Sequence, residues 1–212
     1  MQIRLGFLMF FAVAAGAALY IKSQATQAPV AQVIKPPTEQ IVSSDALHFG
    51  GPFTLNDQTG KLVNEQSWPG MYKLVFFGFT HCPAICPTTL QKMNDLLSLL
   101  GADNKIQPVF ITVDPERDTV DVMANYVSSF NPKIAALTGT KEQVQGAMSA
   151  YRVYATKLES HDGQAGYMVD HSAFIYLMSP EDKPLAIFRQ EDTVEKMVKV
   201  IQSTAHVAQD VK

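Results

Sequence analysis

Continuous apolar runs alternate with helical spacing through the middle of the chain. Residues 72–80 and 107–113 are two nearly uninterrupted apolar runs, which are typical of strands buried on both faces of a sheet. Between them, apolar residues recur at helical spacing up to Gly101, which predicts an amphipathic helix that ends at this glycine. The strand–helix–strand order predicts two parallel strands joined by a helix.

Further elements flank this unit on both sides. Residues 53–63 predict a β-hairpin with its turn near Gly60. The elements predicted after the second run are a helix capped by Asp118, a short strand at residues 134–137, a helix that opens with a capping box of Thr140 and Gln143, a hairpin of strands at residues 172–178 and 184–189, and a helix that opens with a second capping box of Asp192 and Glu195. This order predicts an α/β fold: a thioredoxin-like three-layer α/β/α domain with an N-terminal hairpin and a helical insertion.

The N-terminal segment is apolar on all sides. Residues 5–21 carry no charge, and they are flanked by Arg4 and Lys22. A helix needs about 20 apolar residues to span a bilayer, so the segment predicts one transmembrane helix or a secretory signal peptide. Lys22 occupies the place where a cleaved signal needs small residues, which favours an uncleaved anchor. The positive-inside tendency favours a main domain that faces the periplasm.

Three parts are therefore expected along the chain. Residues 1–22 form a membrane anchor, residues 23–45 a flexible tether and residues 46–208 the folded domain. Hydrophobic residues make up 47% of the chain and charged residues 17%, which is enough apolar material for a packed core. The net charge of −3 gives no basis for a nucleic-acid partner, because such a partner usually requires a basic surface.

Both cysteines of the chain lie where the first apolar run meets the following helix. Cys82 and Cys86 are three residues apart and are followed by Pro83 and Pro87. Proline fits the first position of a helix, which predicts Cys86 as the N-cap and both thiols just before the helix. The backbone N–H groups and the dipole at such a helix terminus stabilise thiolates.

Three kinds of chemistry are open to this thiol pair: a soft-metal site, a redox dithiol and a structural disulfide. A disulfide over so short a loop stabilises the fold by only about 2 kcal/mol, which makes a purely structural bridge the weakest alternative. No second cysteine cluster accompanies the pair, which argues against a structural zinc site. A metal site is favoured, and a redox dithiol remains open.

A copper ion held by two thiolates usually takes a further donor, and imidazole suits it. Three histidines are predicted to lie away from the thiols, at the surface or in the C-terminal helix: His48, His161 and His206. His81 adjoins Cys82, but neighbouring side chains of an extended segment point to opposite faces. His171 directly precedes a predicted core strand, where it either packs at the strand start or approaches the thiols as the third ligand. Asp170 is then either a solvated residue or an acceptor that orients the imidazole.

A polar turn at residues 114–119 follows the second buried strand. The pattern predicts local pairing between an arginine and carboxylates in this turn, and a partner-docking surface is the alternative.

Four motifs in this order resemble the Sco/SenC family of membrane-anchored copper proteins that help to assemble cytochrome c oxidase. They are residues 51–55 (GPFTL), residues 77–83 (FGFTHCP) with residues 86–87 (CP), residues 113–119 (VDPERDT) and residues 169–172 (VDHS). The resemblance covers about residues 46–205. It implies that Cys82, Cys86 and His171 bind copper as Cu(I), Cu(II) or both. The same two cysteines are predicted to close a redox disulfide that excludes copper.

The resemblance also implies a function. It implies a metallochaperone, and not an enzyme, that delivers copper to the binuclear copper A site of cytochrome c oxidase subunit II. The expected location is the bacterial inner membrane, with a periplasmic thiol reductant and other copper carriers as further partners. The alternative is a thiol–disulfide oxidoreductase that reduces the cysteines of that copper site. The family usually has an acidic residue where this chain has Ala84, so a role for that carboxylate in partner contact or Cu(II) binding is in doubt.

Overall fold

A central mixed sheet organises the folded domain in the computed structural model, which describes residues 48–159 and 166–210. The described strands are β1 (Thr54–Asp57), β2 (Leu62–Asn64), β3 (Tyr72–Gly78), β4 (Ile106–Thr112), β5 (Ala135–Thr138), β6 (Ala155–Glu159), β7 (Tyr167–His171), β8 (Ile175–Met178) and β9 (Pro184–Phe188). The described helices are α1 (Ile85–Leu100), α2 (Val120–Val127), α3 (Lys141–Ala150) and α4 (Val194–Asp210). The predicted anchor and tether, residues 1–45, lie outside this range. In the range itself, no helix is long and apolar enough to cross a membrane.

Seven strands form the main sheet in the order β2-β1-β5-β4-β3-β8-β9. Strands β3, β4 and β5 run parallel to one another, as the strand–helix alternation predicts. The two predicted hairpins, β1–β2 and β8–β9, add antiparallel strands at the two edges. The turn of the first hairpin contains Gly60, whose φ of 81° favours glycine. The result is a mixed α/β sheet whose parallel strands lie at the centre.

Helices cover both faces of this sheet, which gives three layers. Helices α1, α2 and α4 pack on one face, and α3 packs on the other. Neighbouring residues of β3 enter different cores: Leu74 and Phe76 face α1, whereas Val75 and Phe77 face α3. This two-sided burial explains why β3 is an uninterrupted apolar run and not an alternating one.

The first helix begins earlier than its proline suggests. Helix α1 starts at Ile85 with Ala84 as its N-cap, so Cys86 lies inside the first turn and is not the N-cap. The prediction that both thiols precede the helix was therefore wrong for Cys86. Pro87 is tolerated at this position because N–H groups in the first turn have no partner within the helix.

Two other predicted caps are displaced by one residue. Helix α2 is capped by Thr119, whose side chain accepts from the Val122 N–H, and not by Asp118. Asp118 is fully buried. Its carboxylate accepts from the Thr80 N–H after β3 and from the Thr112 hydroxyl at the end of β4. At the start of α4, Thr193 accepts from the backbone of the helix, whereas Asp192 accepts from a residue that precedes it. The Thr140–Gln143 capping box of α3 is present as predicted.

A second, two-stranded sheet was not predicted. Strands β6 and β7 pair antiparallel from Ala155 with His171 to Glu159 with Tyr167. Only Val169 is fully buried in β7, so the hydrophobic pattern of this segment is weak. This small hairpin matters for the site because His171 is its last residue.

Candidate metal centre

The two thiols meet at the corner between β3 and α1. A turn closes this corner, because the Cys82 N–H donates to the Phe79 carbonyl at 3.3 Å. The Cys86 N–H in turn donates to the Cys82 Sγ at 3.4 Å. Cys82 is partly exposed, whereas Cys86 is 0% exposed, and both thiols are free. The pair therefore has an inner and an outer member.

Gly78, the last residue of β3, makes room for the inner thiol. A Cβ atom at this position would lie 2.7 Å from the Cys86 Sγ and 3.0 Å from the rings of Phe110 and Phe76. Such distances are shorter than normal contacts, so only glycine lets Cys86 pack here. The sequence carried a signal for this role, since a glycine in a buried strand often marks a close approach.

His171 lies against the inner thiol. Its Nε2 is 3.9 Å from the Cys86 Sγ, and its Nδ1 is 3.0 Å from the Ser172 carbonyl oxygen. A carbonyl only accepts, so Nδ1 carries the proton and Nε2 offers its lone pair to the thiol. The ring stands edge-on to Phe79, with 5.7 Å between the centroids. The hairpin thus presents an oriented imidazole whose unprotonated nitrogen, Nε2, faces the Cys86 thiol.

Asp170 does not orient the imidazole of His171. Its side chain is exposed, and the contact to His171 Nδ1 is made by the Ser172 carbonyl. Its influence on His171 is electrostatic: burial lowers the pKa of His171, and the Ser172 carbonyl and the Asp170 charge oppose this effect without cancelling it. The imidazole is therefore held in its neutral, metal-binding form over a wider pH range.

The two thiols differ in acidity. Burial raises the pKa of Cys82, but N–H groups of Cys86, Ala84 and Ile85 outweigh it, so the pKa of Cys82 lies below its ordinary value. Burial also raises the pKa of Cys86, and the neighbouring Cys82 and Asp118 charges add to this increase. Cys82 is thus the more easily formed thiolate, and Cys86 needs a cation or a partner to become one.

The three predicted ligands are linked through Cys86, which contacts both of the others. They are not yet gathered around one point: nowhere in residues 48–159 and 166–210 do three His, Cys, Asp or Glu side chains form a ready metal cluster. The chain has four other histidines. His48 and His81 are exposed, His206 lies in α4 and His161 lies outside the described residues.

The hairpin that carries His171 is fastened to the turn after β4 by three residues, Asp114, Arg117 and Tyr167, called here the hairpin clamp. Arg117 stacks on the Tyr167 ring, with its Cζ 3.8 Å from the centroid, and its Nη1 donates to the Tyr167 carbonyl at 2.9 Å. Asp114 accepts from the Arg117 Nε at 2.5 Å and from the Tyr167 hydroxyl at 2.7 Å. The predicted local pairing of arginine and carboxylate is confirmed, but its contact with the hairpin was not foreseen.

Tyr126 of α2 is a further residue near the thiols. Its hydroxyl is buried and has no hydrogen-bond partner among the described residues. Burial raises the pKa of Tyr126, and the nearby charges of Cys86, Cys82 and Asp118 raise it further. A neutral hydroxyl therefore lies within electrostatic reach of the thiols.

A mixed α/β sheet with a dithiol at the end of a central parallel strand, and an imidazole beside it, defines a thioredoxin-like thiol protein with donors for a soft metal. The SCO1/SenC family matches residues 42–206 of this chain. The chain belongs to that family.

Relatives and solved structures agree with this membership. An SCO2-like protein of Rickettsia prowazekii is 36% identical over 164 residues, which cover 76% of this chain and 80% of the relative. The structure of Bradyrhizobium japonicum ScoI with copper bound is 42% identical, with a TM-score of 0.67 over 73% of this chain and 98% of that chain. The structure of BsSco, a member of the Sco family of cytochrome c oxidase assembly proteins in which a disulfide switch was identified, is 26% identical, with a TM-score of 0.59 over 74% of this chain and 94% of that chain.

Proposed function

We propose that this protein binds copper through Cys82, Cys86 and His171 and serves as a metallochaperone in the assembly of cytochrome c oxidase. The observation that carries the proposal is the 3.9 Å contact between the His171 Nε2 and the Cys86 Sγ, with Nδ1 occupied by the Ser172 carbonyl. A histidine that ligates a metal typically donates its other N–H to such an acceptor. The copper-bound Bradyrhizobium relative supports copper as the ion.

The donor set suits the chemistry of copper. Two thiolates and one imidazole are soft to borderline donors, which favour Cu(I), and Cu(II) bound by the same atoms would give a sulfur-to-copper charge-transfer band. Side-chain rotation at the partly exposed Cys82 is the movement that would bring its sulfur towards the Cys86–His171 pair. Binding also converts the Cys86 thiol to a thiolate, because the cation supplies the stabilisation that the buried site lacks.

The proposed recipient is the binuclear copper A site of cytochrome c oxidase subunit II. Delivery requires reduced thiols, so a periplasmic thiol reductant and other copper carriers are the expected partners upstream. The proposed location is the bacterial inner membrane, with residues 1–22 as an anchor, residues 23–45 as a tether, and residues 46–208 in the periplasm. The disulfide switch of the BsSco relative supports a redox step between Cys82 and Cys86.

A thiol–disulfide oxidoreductase is the second candidate. The partly exposed position of Cys82 and its lowered pKa favour it, because an accessible thiolate is the nucleophile in such exchange. In that reaction the Cys82 thiolate attacks the target disulfide, and Cys86 then releases the reduced target as the Cys82–Cys86 disulfide forms. His171 has no necessary part in these steps.

Metal analysis of the purified chain tests the copper proposal. The reduced protein should hold about one copper ion per chain, and the oxidised protein should hold none because its thiolates are gone. Cys82→Ala and Cys86→Ala should each abolish tight binding. Unchanged copper content in either variant, or equal binding by the oxidised protein, would place the ligands elsewhere.

Membrane fractionation tests the proposed anchor. The full chain should sediment with membranes, resist carbonate extraction and keep its N-terminus, because residues 5–21 are apolar and Lys22 disfavours cleavage. A version that starts at residue 46 should be released. A mature protein that starts near Pro29 in the soluble fraction would contradict the anchor.

A further inference from the structure

A chain of hydrogen bonds leads from the core to the surface beside Cys82. Asp118, which is 0% exposed, accepts from the Thr80 hydroxyl at 2.6 Å. The same Thr80 oxygen lies 3.0 Å from the His81 Nδ1. Because His81 directly precedes Cys82, this relay of Asp118, Thr80 and His81 ends next to the outer thiol.

The relay determines which nitrogen of His81 is free. A threonine hydroxyl has one proton, and Thr80 donates it to the Asp118 carboxylate. The Thr80 oxygen can then only accept from His81, so the proton of the neutral imidazole is on Nδ1. The lone pair is therefore on Nε2, which is the same arrangement that the Ser172 carbonyl gives to His171.

Asp118 itself is held firmly. It also accepts from the Thr80 N–H at 3.1 Å and from the Thr112 hydroxyl at 2.6 Å, and its own carbonyl accepts from Thr138. These bonds tie together the ends of β3, β4 and β5, which is a sufficient structural reason for Asp118 and Thr80. They do not explain His81, whose side chain is 53% exposed and adds little to packing.

Copper in the proposed site is reached from the side of its partly exposed ligands. Cys86 is buried, whereas Cys82 and His171 are both partly exposed, and Cys82 adjoins the exposed His81. An ion that leaves past Cys82 must give up Cys86 and His171 and bind donors that lie nearer the surface. The nearest outer imidazole along the chain is His81, since the Cα atoms of adjacent residues are about 3.8 Å apart. The turn from Phe79 to Cys82 also frees the pair from the strict alternation of an extended strand.

We propose that His81 is a transit ligand for copper, which holds the ion together with Cys82 while it enters or leaves the inner site. This inference rests on the copper function proposed above. During transfer, the bond from Cu(I) to the His171 Nε2 breaks as a bond to the His81 Nε2 forms, and the oxidation state of copper does not change. Cys86 then releases the ion and takes a proton from water, while the proton on the His81 Nδ1 stays there and continues to be donated to the Thr80 oxygen.

The experiment separates how fast copper moves from how tightly it is held. The full reduced chain, purified in detergent, is loaded with Cu(I), and transfer to a chromophoric Cu(I) chelator is followed by stopped flow. The equilibrium affinity is measured by competition with the same chelator. His81→Ala should slow the transfer by about tenfold or more, the lower end of the effects usual for groups around a metal, and its affinity should stay within about threefold of the wild type because His81 does not hold the ion at rest.

Matched variants isolate the relay. Thr80→Val removes the acceptor for the Nδ1 proton and should also slow the transfer, whereas Thr80→Ser keeps the hydroxyl and should restore the rate. His48→Ala removes an exposed histidine that precedes β1 and should have no effect.

Each result bears on a different claim. A wild-type chain that takes up no copper would refute the proposed function. If the wild-type chain binds copper and the His81→Ala variant transfers it at the wild-type rate, His81 is not a transit ligand, and the proposed function still stands. A loss of affinity in His81→Ala as large as that in His171→Ala would also refute it, because His81 would then be a resident ligand. A wild-type rate in Thr80→Val would refute the relay.

Discussion

Cys86 occupies its place because Gly78 has no side chain. A Cβ atom at residue 78 would approach the Cys86 Sγ to 2.7 Å. The thiol cannot yield easily, since Cys86 is part of α1 and packs against the sheet with no exposed surface. One glycine therefore determines where the inner ligand lies.

Gly78→Ala should move the inner thiol and weaken the fold. We expect the free energy of unfolding to fall by about 1–3 kcal/mol, which is the usual cost of adding atoms to a packed core. Copper affinity should fall as well, because Cys86 is displaced from His171. Urea denaturation and copper competition measure the two effects.

Gly146→Ala is the matched control. Gly146 lies in α3, and an added Cβ would have no described atom within 4 Å apart from its own stretch of helix. This change should leave copper binding unchanged and stabilise the helix by up to about 1 kcal/mol. Equal behaviour of the two alanine variants would contradict the role of Gly78.

The difference in acidity between the two thiols can be measured directly. The pKa of Cys82 lies below the ordinary thiol value and that of Cys86 lies above it, so at neutral pH more of Cys82 is thiolate. In the reduced, metal-free protein, iodoacetamide should alkylate Cys82 first, with a rate that rises with pH around a midpoint below that of a free thiol. Peptide mapping by mass spectrometry assigns the label. In urea the two cysteines should react alike; faster labelling of Cys86 in the folded protein would contradict this order.

Sequence reasoning identified the candidate ligands but not their supports. Two thiols next to a helix start are recognisable from spacing alone. The place of His171 before a core strand left packing and ligation both open, and the family resemblance implied it as the third ligand. The roles of Gly78 and of the Asp118–Thr80 pair depend on distances between segments that are remote in sequence. Asp118 was predicted to be a helix cap because aspartate often precedes helices; burial made it a core acceptor instead.

At the scale of elements, the β6–β7 hairpin controls the position of His171. It forms its own sheet, and the hairpin clamp joins it to the turn after β4. Lys157 of β6 adds a second cation on the Tyr167 ring, with its Nζ 4.4 Å from the centroid. The distance between His171 and Cys86 therefore depends on Asp114 and Arg117, which are far from both residues in sequence.

Arg117→Lys should loosen this hairpin without touching a ligand. Lysine keeps the charge but cannot stack on Tyr167 while it also bonds to Asp114 and to the Tyr167 carbonyl. We expect copper affinity to fall by about tenfold, the lower end of the effects seen when groups behind a ligand are changed. The variant should still close the Cys82–Cys86 disulfide, because both thiols are unchanged.

Arg189→Lys provides the control, since the Arg189 side chain is 71% exposed. Both variants are assayed for copper affinity and for disulfide formation. If Arg117→Lys binds copper as tightly as Arg189→Lys, the clamp does not position His171.

The pattern of apolar residues predicted the main sheet better than this hairpin. Strands β3 and β4 are buried on both faces, so they leave long apolar runs that are easily recognised. Strands β6 and β7 lie mostly at the surface, and among their described side chains only Val169 in β7 is buried. Polar side chains hold this hairpin in place, and their partners lie on another element, so no local pattern predicts them.

At the scale of the whole molecule, the candidate ligands lie together at the carboxyl ends of the central parallel strands. Parallel strands β3 and β4 end there. The segment after β3 carries Cys82, and the turn after β4 carries Asp114 and Arg117 of the hairpin clamp. Ligands commonly bind at the carboxyl ends of strands in open α/β sheets. The antiparallel strand β8 begins at this same end of the strands. His171, which precedes β8, therefore approaches the thiols from the side of β3 opposite to β4.

This arrangement distinguishes a copper carrier from a thiol reductase. A reductase needs both sulfurs but no third donor, whereas a carrier needs an imidazole that completes the site. His171 belongs to the second requirement only. Its replacement therefore separates the two functions while the dithiol stays intact.

The most direct test is the activity of cytochrome c oxidase in cells that produce His171→Ala, measured beside the copper content of the purified variant. The copper-carrier account predicts that the variant still forms its disulfide, binds copper far more weakly, and leaves the cells with little oxidase activity, which added copper partly restores. Oxidase activity close to that of the wild type, with copper lost from the variant, would contradict the account and support the reductase.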